Sequence, residues 1–136
     1  MADKLKLSKI SSDMLNGLTI NLDLKRNIVC RIALCKSLNK KQKVENHIIS
    51  DSEGYEFNRS TIMSNDDLMF RSLVAFVQQE RVGPDFFNVI VKNHIEQGLS
   101  IMEEEYQRIN SPVNYLIQLI DTNNTTQQLP YTSRKV

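Results

Sequence analysis

Apolar residues recur every three to four positions through Leu24–Leu38, LKRNIVCRIALCKSL. Leu24, Ile28, Ile32, Cys35 and Leu38 make one stripe, and Val29, Cys30, Ala33 and Leu34 carry the apolar surface nearly all the way round. A helix of that kind needs cover on most sides. It is expected at the centre of the fold, buried by its own chain and by a second copy. Its polar positions are mostly basic, with Lys25 and Arg26 in the first turn, then Arg31 and Lys36, and they leave a cationic edge for a partner.

The flanking patterns predict shorter elements. Lys4 to Ser8 alternates basic and apolar residues, the signature of a half-buried strand. Ser11, Ser12 or Asp13 is expected to cap a helix running to Asn21, with Met14, Leu15, Leu18 and Ile20 inward and Gly17 costing about 1 kcal/mol relative to alanine. Asp23 is the expected cap of the central helix. After the cationic break Asn39–Lys43 and the apolar segment Val44–Ile49, Asp51–Met63 reads as an irregular loop or short hairpin. Gly54 would supply turn freedom there, and Tyr55, Phe57, Thr61 and Ile62 extended chain. Ser64 and Asp67 form a capping-box pattern before a helix with Leu68, Met69, Leu73, Phe76 and Val77 inward, ended by Gly83-Pro84. Asp85 then caps a long helix that buries Phe86, Phe87, Ile90, Val91, Ile95, Leu99 and Met102. Gly98 there is either a close backbone approach or a tolerated surface glycine. Pro112 stops or kinks the chain before an amphipathic end helix, Val113–Ile120.

The expected fold is therefore mainly α: a ribbon-helix-helix-like small domain with a short N-terminal strand, extra C-terminal helices and an oligomeric state. Residues 1–120 read as a single helical domain. Residues 121–136, rich in Asn, Thr and Gln, read as a disordered tail. A chain of 136 residues supports one modest core, which oligomerisation would help. With no run of about twenty apolar residues and no secretory signal pattern, the expected location is the cytoplasm, without membrane association.

Charge changes this picture more than composition does. The formal net charge is +1, yet residues 1–43 hold ten Lys and Arg against three Asp, a net +7, while residues 44–120 hold five against twelve acids, a net −7. Such a split points the N-terminal half at a polyanion. The plainer reading is that these lysines solvate helix surfaces.

No phosphate-binding loop, dinucleotide fingerprint, zinc-protease motif or CxxC is present, so no cofactor or metal site is expected. Cys30 and Cys35 lie roughly 140° apart round one helix, too far for a mutual bond. They are expected to be small buried hydrophobes, the alternative being a reactive or persulfide-carrying thiol. His47 and His94 are expected to be hydrogen-bonded structural residues. Glu103, Glu104 and Glu105 point in different directions from a helix and read as a solvated face.

NIVCRIALCKSL (27–38), GYEFNRSTI (54–62) and HIEQGLSIM (94–102) resemble, in the same order, segments of the DndE family of bacterial DNA phosphorothioation systems, over about Lys4 to Ile109. The resemblance implies a fold similar to ribbon-helix-helix proteins, a homotetramer, and a non-enzymatic subunit that binds duplex DNA, nicked in preference. Its implied partners are a sulfurtransferase-like protein and an ATPase. DNA binding in the family is attributed to surface lysines. The matching segments here offer Lys4, Lys6, Lys9, Lys25 and Arg26, with Lys36, Lys40, Lys41 and Lys43 as further candidates. Arg31 and Arg59 lie inside the resembling motifs, where an ion pair or an interface contact competes with a phosphate contact. Two positions depart from the family pattern: Gln97 stands where a basic residue is expected, and no glycine occurs from Ile20 to Leu24.

Lysines without interleaved aromatics contact phosphates and give sequence-tolerant, salt-sensitive binding. A nick would be recognised through its easier bending. The alternative function is a sequence-specific ribbon-helix-helix repressor or antitoxin, whose strand side chains would read bases. Lys4 and Lys6 suit that task weakly. A second alternative is a protein-binding adaptor whose lysines never meet DNA.

Overall fold

A computed structural model describes residues 4–44 and 51–121. His47, most of the Val44–Ile49 segment and the tail after Asp121 lie outside the described residues. The elements are β1 (Lys4–Lys6), α1 (Lys9–Leu22), α2 (Arg26–Asn39), β2 (Glu56–Asn58), α3 (Arg59–Met63), a 3-10 turn (Ser64–Asp66), α4 (Asp67–Gln78), α5 (Pro84–Ile109) and α6 (Pro112–Ile120). The protein is mainly helical with one two-stranded sheet. It divides into two compact units, residues 1–103 and 104–136.

In the first unit α2 is the central helix, but it is turned relative to expectation. Val29, Cys30, Ala33, Leu34, Ser37 and Leu38 are buried. Ile28 and Cys35 are exposed, and Leu24 and Ile32 are half-buried. Small residues decide the orientation. α5 comes so close that a Cβ at Gly98 would collide with the Ala33 carbonyl, and the residues sharing Ala33's face follow it into the core. Gly98 is thus a close backbone approach.

β1 pairs antiparallel with β2 of the same chain, with Lys4 opposite Asn58, Leu5 opposite Phe57 and Lys6 opposite Glu56. The strand's partner is intramolecular where a ribbon-helix-helix protein would draw it from a second chain. Two bonds extend the ribbon: Leu7 N–H donates to the Tyr55 carbonyl at 2.9 Å, and Gly54 N–H to the Leu7 carbonyl at 2.7 Å. None of the glycines has positive φ. Gly54 is there for space, since a Cβ would strike Ser12 and the Ser8 carbonyl.

Helix α1 starts earlier than expected because Ser8 caps it, its Oγ accepting from Ser11 N–H at 3.1 Å. Ser11 and Ser12 are buried while Asp13 is exposed. Leu15, Leu18 and Leu22 form the inner face, Met14 is half-buried and Ile20 is exposed. Asp23 does not cap α2: it closes α1 in the left-handed region at φ 56°, a conformation that glycine adopts more readily. The cap position of α2 falls to Lys25, which makes no side-chain capping bond.

Thr61 and Ile62, expected to be extended, belong to α3. The capping box before α4 does not form; Asp66 precedes the helix without a side-chain cap, and Asp67 instead bonds Arg71 at 2.7 Å and Arg59 at 3.3 Å. α4 also shows a different face from the one predicted, Val77 alone of the predicted set being buried. Phe70, Val74, Val77 and Gln78 are buried, whereas Leu68, Met69, Leu73 and Phe76 are exposed. The helix is apolar almost all round, and the face that also carries Gln78 wins because its amide finds partners inside. α5 buries Phe87, Ile90, Val91, Ile95, Leu99 and Met102 as predicted, with Phe86 exposed. It begins at Pro84, so Asp85 sits within the first turn instead of before it.

In the second unit Ser111 caps α6, its Oγ accepting from Asn114 N–H at 3.3 Å, with Pro112 opening the helix. Tyr115 is buried, meets Tyr106 edge to face at 5.9 Å, and donates its hydroxyl to Glu105 at 2.8 Å. Glu104 is exposed, but Glu105 is thereby engaged, so the acidic trio is more than a solvated face.

Candidate nucleic-acid interface

The first turn of α2 carries no acidic residue, only Lys25 and Arg26. Cations there oppose the helix dipole and cost roughly 0.3–1 kcal/mol each, so helix stability does not account for them. The first N–H groups of any helix lack partners within the helix and favour an anion, so cations beside them suit a phosphate better than they suit the helix. Arg26 is kept in place by Tyr55: its Nη2 donates to the hydroxyl at 3.0 Å, and its guanidinium lies 4.0 Å from the ring centroid. Tyr55 immediately precedes β2, so it brings the start of α2 beside the ribbon that carries Lys4 and Lys6. Sequence reasoning missed Tyr55, whose signal was its place in the GYEF segment.

The remaining candidates divide. Lys4 and Lys6 are exposed on the outer side of β1, but Lys4 pairs with Glu56 at 3.3 Å. Lys9 lies 4.0 Å from Asp13 one turn on. Lys36 is half-buried; Lys40, Lys41 and Lys43 are exposed and follow the other end of α2. At 1.5 Å per residue that end lies about 20 Å from Arg26. Lys25 and Arg26 thus stand at the start of α2, and Lys36, Lys40, Lys41 and Lys43 lie toward and beyond its other end.

Other cations are engaged within the fold. Arg31 donates to the carbonyls of Ile62 (2.9 Å) and Met63 (3.0 Å), pairs with Asp66 and covers the Phe70 ring, which ties α2 to the end of α3. Arg59 bonds Asn88 at 2.8 Å as well as Asp67. Lys92, only 3% exposed, donates to the Asp51 carbonyl (2.9 Å) and the Ser52 hydroxyl (3.0 Å).

Cys30 is a buried small hydrophobe whose thiol burial pushes up to about 12. Cys35 departs from expectation because α2 is turned. It is exposed, and partial desolvation raises its thiol against the opposing Arg31 charge. His94 is fully buried: its Nδ1 lies 2.7 Å from Ser37 Oγ and its Nε2 lies 3.2 Å from Gln78 Oε1. Because Gln97 donates to Ser37 Oγ at 2.8 Å, the hydroxyl proton is available to Nδ1, which assigns the neutral Nε2–H form. Burial lowers its pKa to about 4. Among the described residues, no group of three or more His, Cys, Asp or Glu is placed to hold a metal ion, and no helix is long and apolar enough to cross a membrane.

Comparison with known proteins places these features in context. A family model described as DNA sulphur modification protein DndE matches residues 4–110, from β1 through α5 and including both basic ends of α2. No curated protein matches the chain. A match over that span leaves only the chain's first three residues and its last segment outside, and the protein accordingly belongs to the DndE family of DNA sulphur modification proteins.

Proposed function

We propose that the chain is a non-enzymatic DNA-binding subunit of a DNA phosphorothioation system. It holds duplex DNA, nicked in preference to intact, as a scaffold for sulfurtransferase-like and ATPase partners, and it works as a homo-oligomer, a tetramer. The observation that carries this reading is the start of α2, where Lys25 and Arg26 stand at the wrong pole for helix stability and the right one for phosphate. The basic group Lys36, Lys40, Lys41 and Lys43 at the far end adds a second contact, and about 20 Å corresponds to roughly six base steps at 3.4 Å each. Lys4, Lys6 and Lys9 contribute from the ribbon and from α1. The repressor alternative loses support from β1, whose partner is intramolecular and whose Lys4 is engaged by Glu56.

Binding of the full-length protein to matched intact and nicked duplexes of several sequences, titrated across salt, tests the reading. Sequence-indifferent affinity that favours the nick is expected, and the Lys25→Glu, Arg26→Glu variant should reduce the log–log salt slope by about 2. Binding to one intact palindrome alone would establish the repressor, and no binding at low salt the adaptor.

A further inference from the structure

We propose that the groove between Lys41 and the end of α4 takes an unstacked nucleotide, the unpaired strand end at a break, with its base on Phe76 and its phosphate at the Lys41 ammonium. This rests on the DNA-binding reading above and names a site within it. The groove is open to solvent on one side, has a volume of about 440 Å³ and is lined by Lys41, Ala75, Phe76, Val77 and Gln79. That volume lies in the range of pockets that hold small molecules.

Buried polar groups lie beneath one side of the groove. Gln78 is 1% exposed and grips the backbone of Val44 with both ends of its amide, Oε1 accepting from Val44 N–H at 2.9 Å and Nε2 donating to the Val44 carbonyl at 3.1 Å. The same Oε1 is approached by His94 Nε2. The basic segment after α2 is thus fastened to the end of α4, and Lys41 stays beside Phe76. Lys41 (φ 58°) and Gln79 (φ 60°) are both held in the left-handed region, which fixes two of the groove's walls.

Its chemistry suits a nucleotide. Phe76 is 69% exposed and contributes an aromatic ring; Ala75 and Val77 line the apolar part; Lys41 supplies a cation and Gln79 an amide. Among the described residues no carboxylate lines it, and no acidic residue occurs between Asp23 and Glu45 in the sequence. Aromatic stacking combined with a backbone cation is how single-stranded nucleic acid is held without regard to sequence. An intact duplex has no unstacked base to present, so the groove would distinguish a break from continuous DNA. An apolar protein partner would have no use for the cation.

The chain contains no tryptophan, so Phe76→Trp creates a single fluorescent reporter in the groove. Its emission should be quenched by a nicked duplex with a one-nucleotide unpaired end and unchanged by the intact duplex. Phe76→Ala should weaken binding of the nicked, unpaired-end duplex about tenfold while leaving intact-duplex affinity within about twofold, and Phe76→Trp should keep the preference. Unquenched emission, or equal preference in Phe76→Ala and the unaltered protein, sinks the groove while leaving DNA binding intact. A smaller particle on sizing of Phe76→Ala overturns the proposal in favour of self-association through this face. Failure of the unaltered protein to bind any duplex removes both readings.

Discussion

His94 shows how one buried side chain ties the fold to pH. Its ring is satisfied as neutral imidazole by Ser37 and Gln78, and burial holds its pKa near 4 against 6.5 for a free side chain. A depressed pKa means that the unfolded chain takes up the proton first. The contribution is complete above pH 6.5 and is lost as the pH falls toward 4, on the order of 3 kcal/mol over the window. Urea unfolding between pH 7.5 and 5 should show that decline, and His94→Gln should flatten it while lowering stability at pH 7. Lys25 predicts a change of the opposite kind. Lys25→Asp supplies the missing cap and suits the dipole, so it should raise stability by about 1 kcal/mol while weakening duplex binding several-fold. Thermal melts and a binding titration on the same sample separate the two effects.

Among the elements, the contact between α2 and α5 is the tightest constraint described. Gly98→Ala would push a methyl into the Ala33 carbonyl, and because helical backbone yields little, a loss of about 1–3 kcal/mol or more is expected. Chemical denaturation reads it, with Gly17→Ala, a position with nothing within 4 Å, as a control that should stabilise by roughly 1 kcal/mol. The same contact explains which elements were legible in advance. From Phe87 onward the apolar face of α5 was readable in advance, because polar positions flank a single apolar stripe, although Phe86 lies outside it and Lys92 and His94 are buried beside it. α2 and α4 are apolar on several sides, and periodicity cannot choose among faces of such helices. For α2 the choice was made by Ala33 and Gly98, residues that no hydrophobic count rewards; for α4 it was made by the hydrogen bonds of Gln78. Caps were misplaced for a related reason: Ser8, Ser11 and Ser12 are locally equivalent, and only the strand's end point selects Ser8. The basic edge was legible as composition, but which of its cations the fold would pair was not, because Lys4 and Arg31 find their acidic partners, Glu56 and Asp66, in other elements.

Across the first unit, two basic groups stand at opposite ends of one buried helix, and their energies should add because they share no partner. Neutralising Lys40, Lys41 and Lys43 to glutamine should lower the salt slope of duplex binding by up to about 3, independently of the change at Lys25 and Arg26. A combined variant whose slope equals that of either alone would mean that only one end meets DNA. The ribbon has its own consequence at this scale. Its two strands lie on either side of α1, α2 and the basic segment, so β1 waits unpaired while some fifty further residues are made. At ordinary rates of synthesis, about 5–20 residues per second, that is an interval of roughly 3–10 s in which Leu5 and Leu7 have no strand beside them. Both side chains are fully covered in the finished protein. During those seconds they belong to the nascent chain's exposed surface, and the arrival of Glu56–Asn58 is the event that ends its vulnerability to premature association.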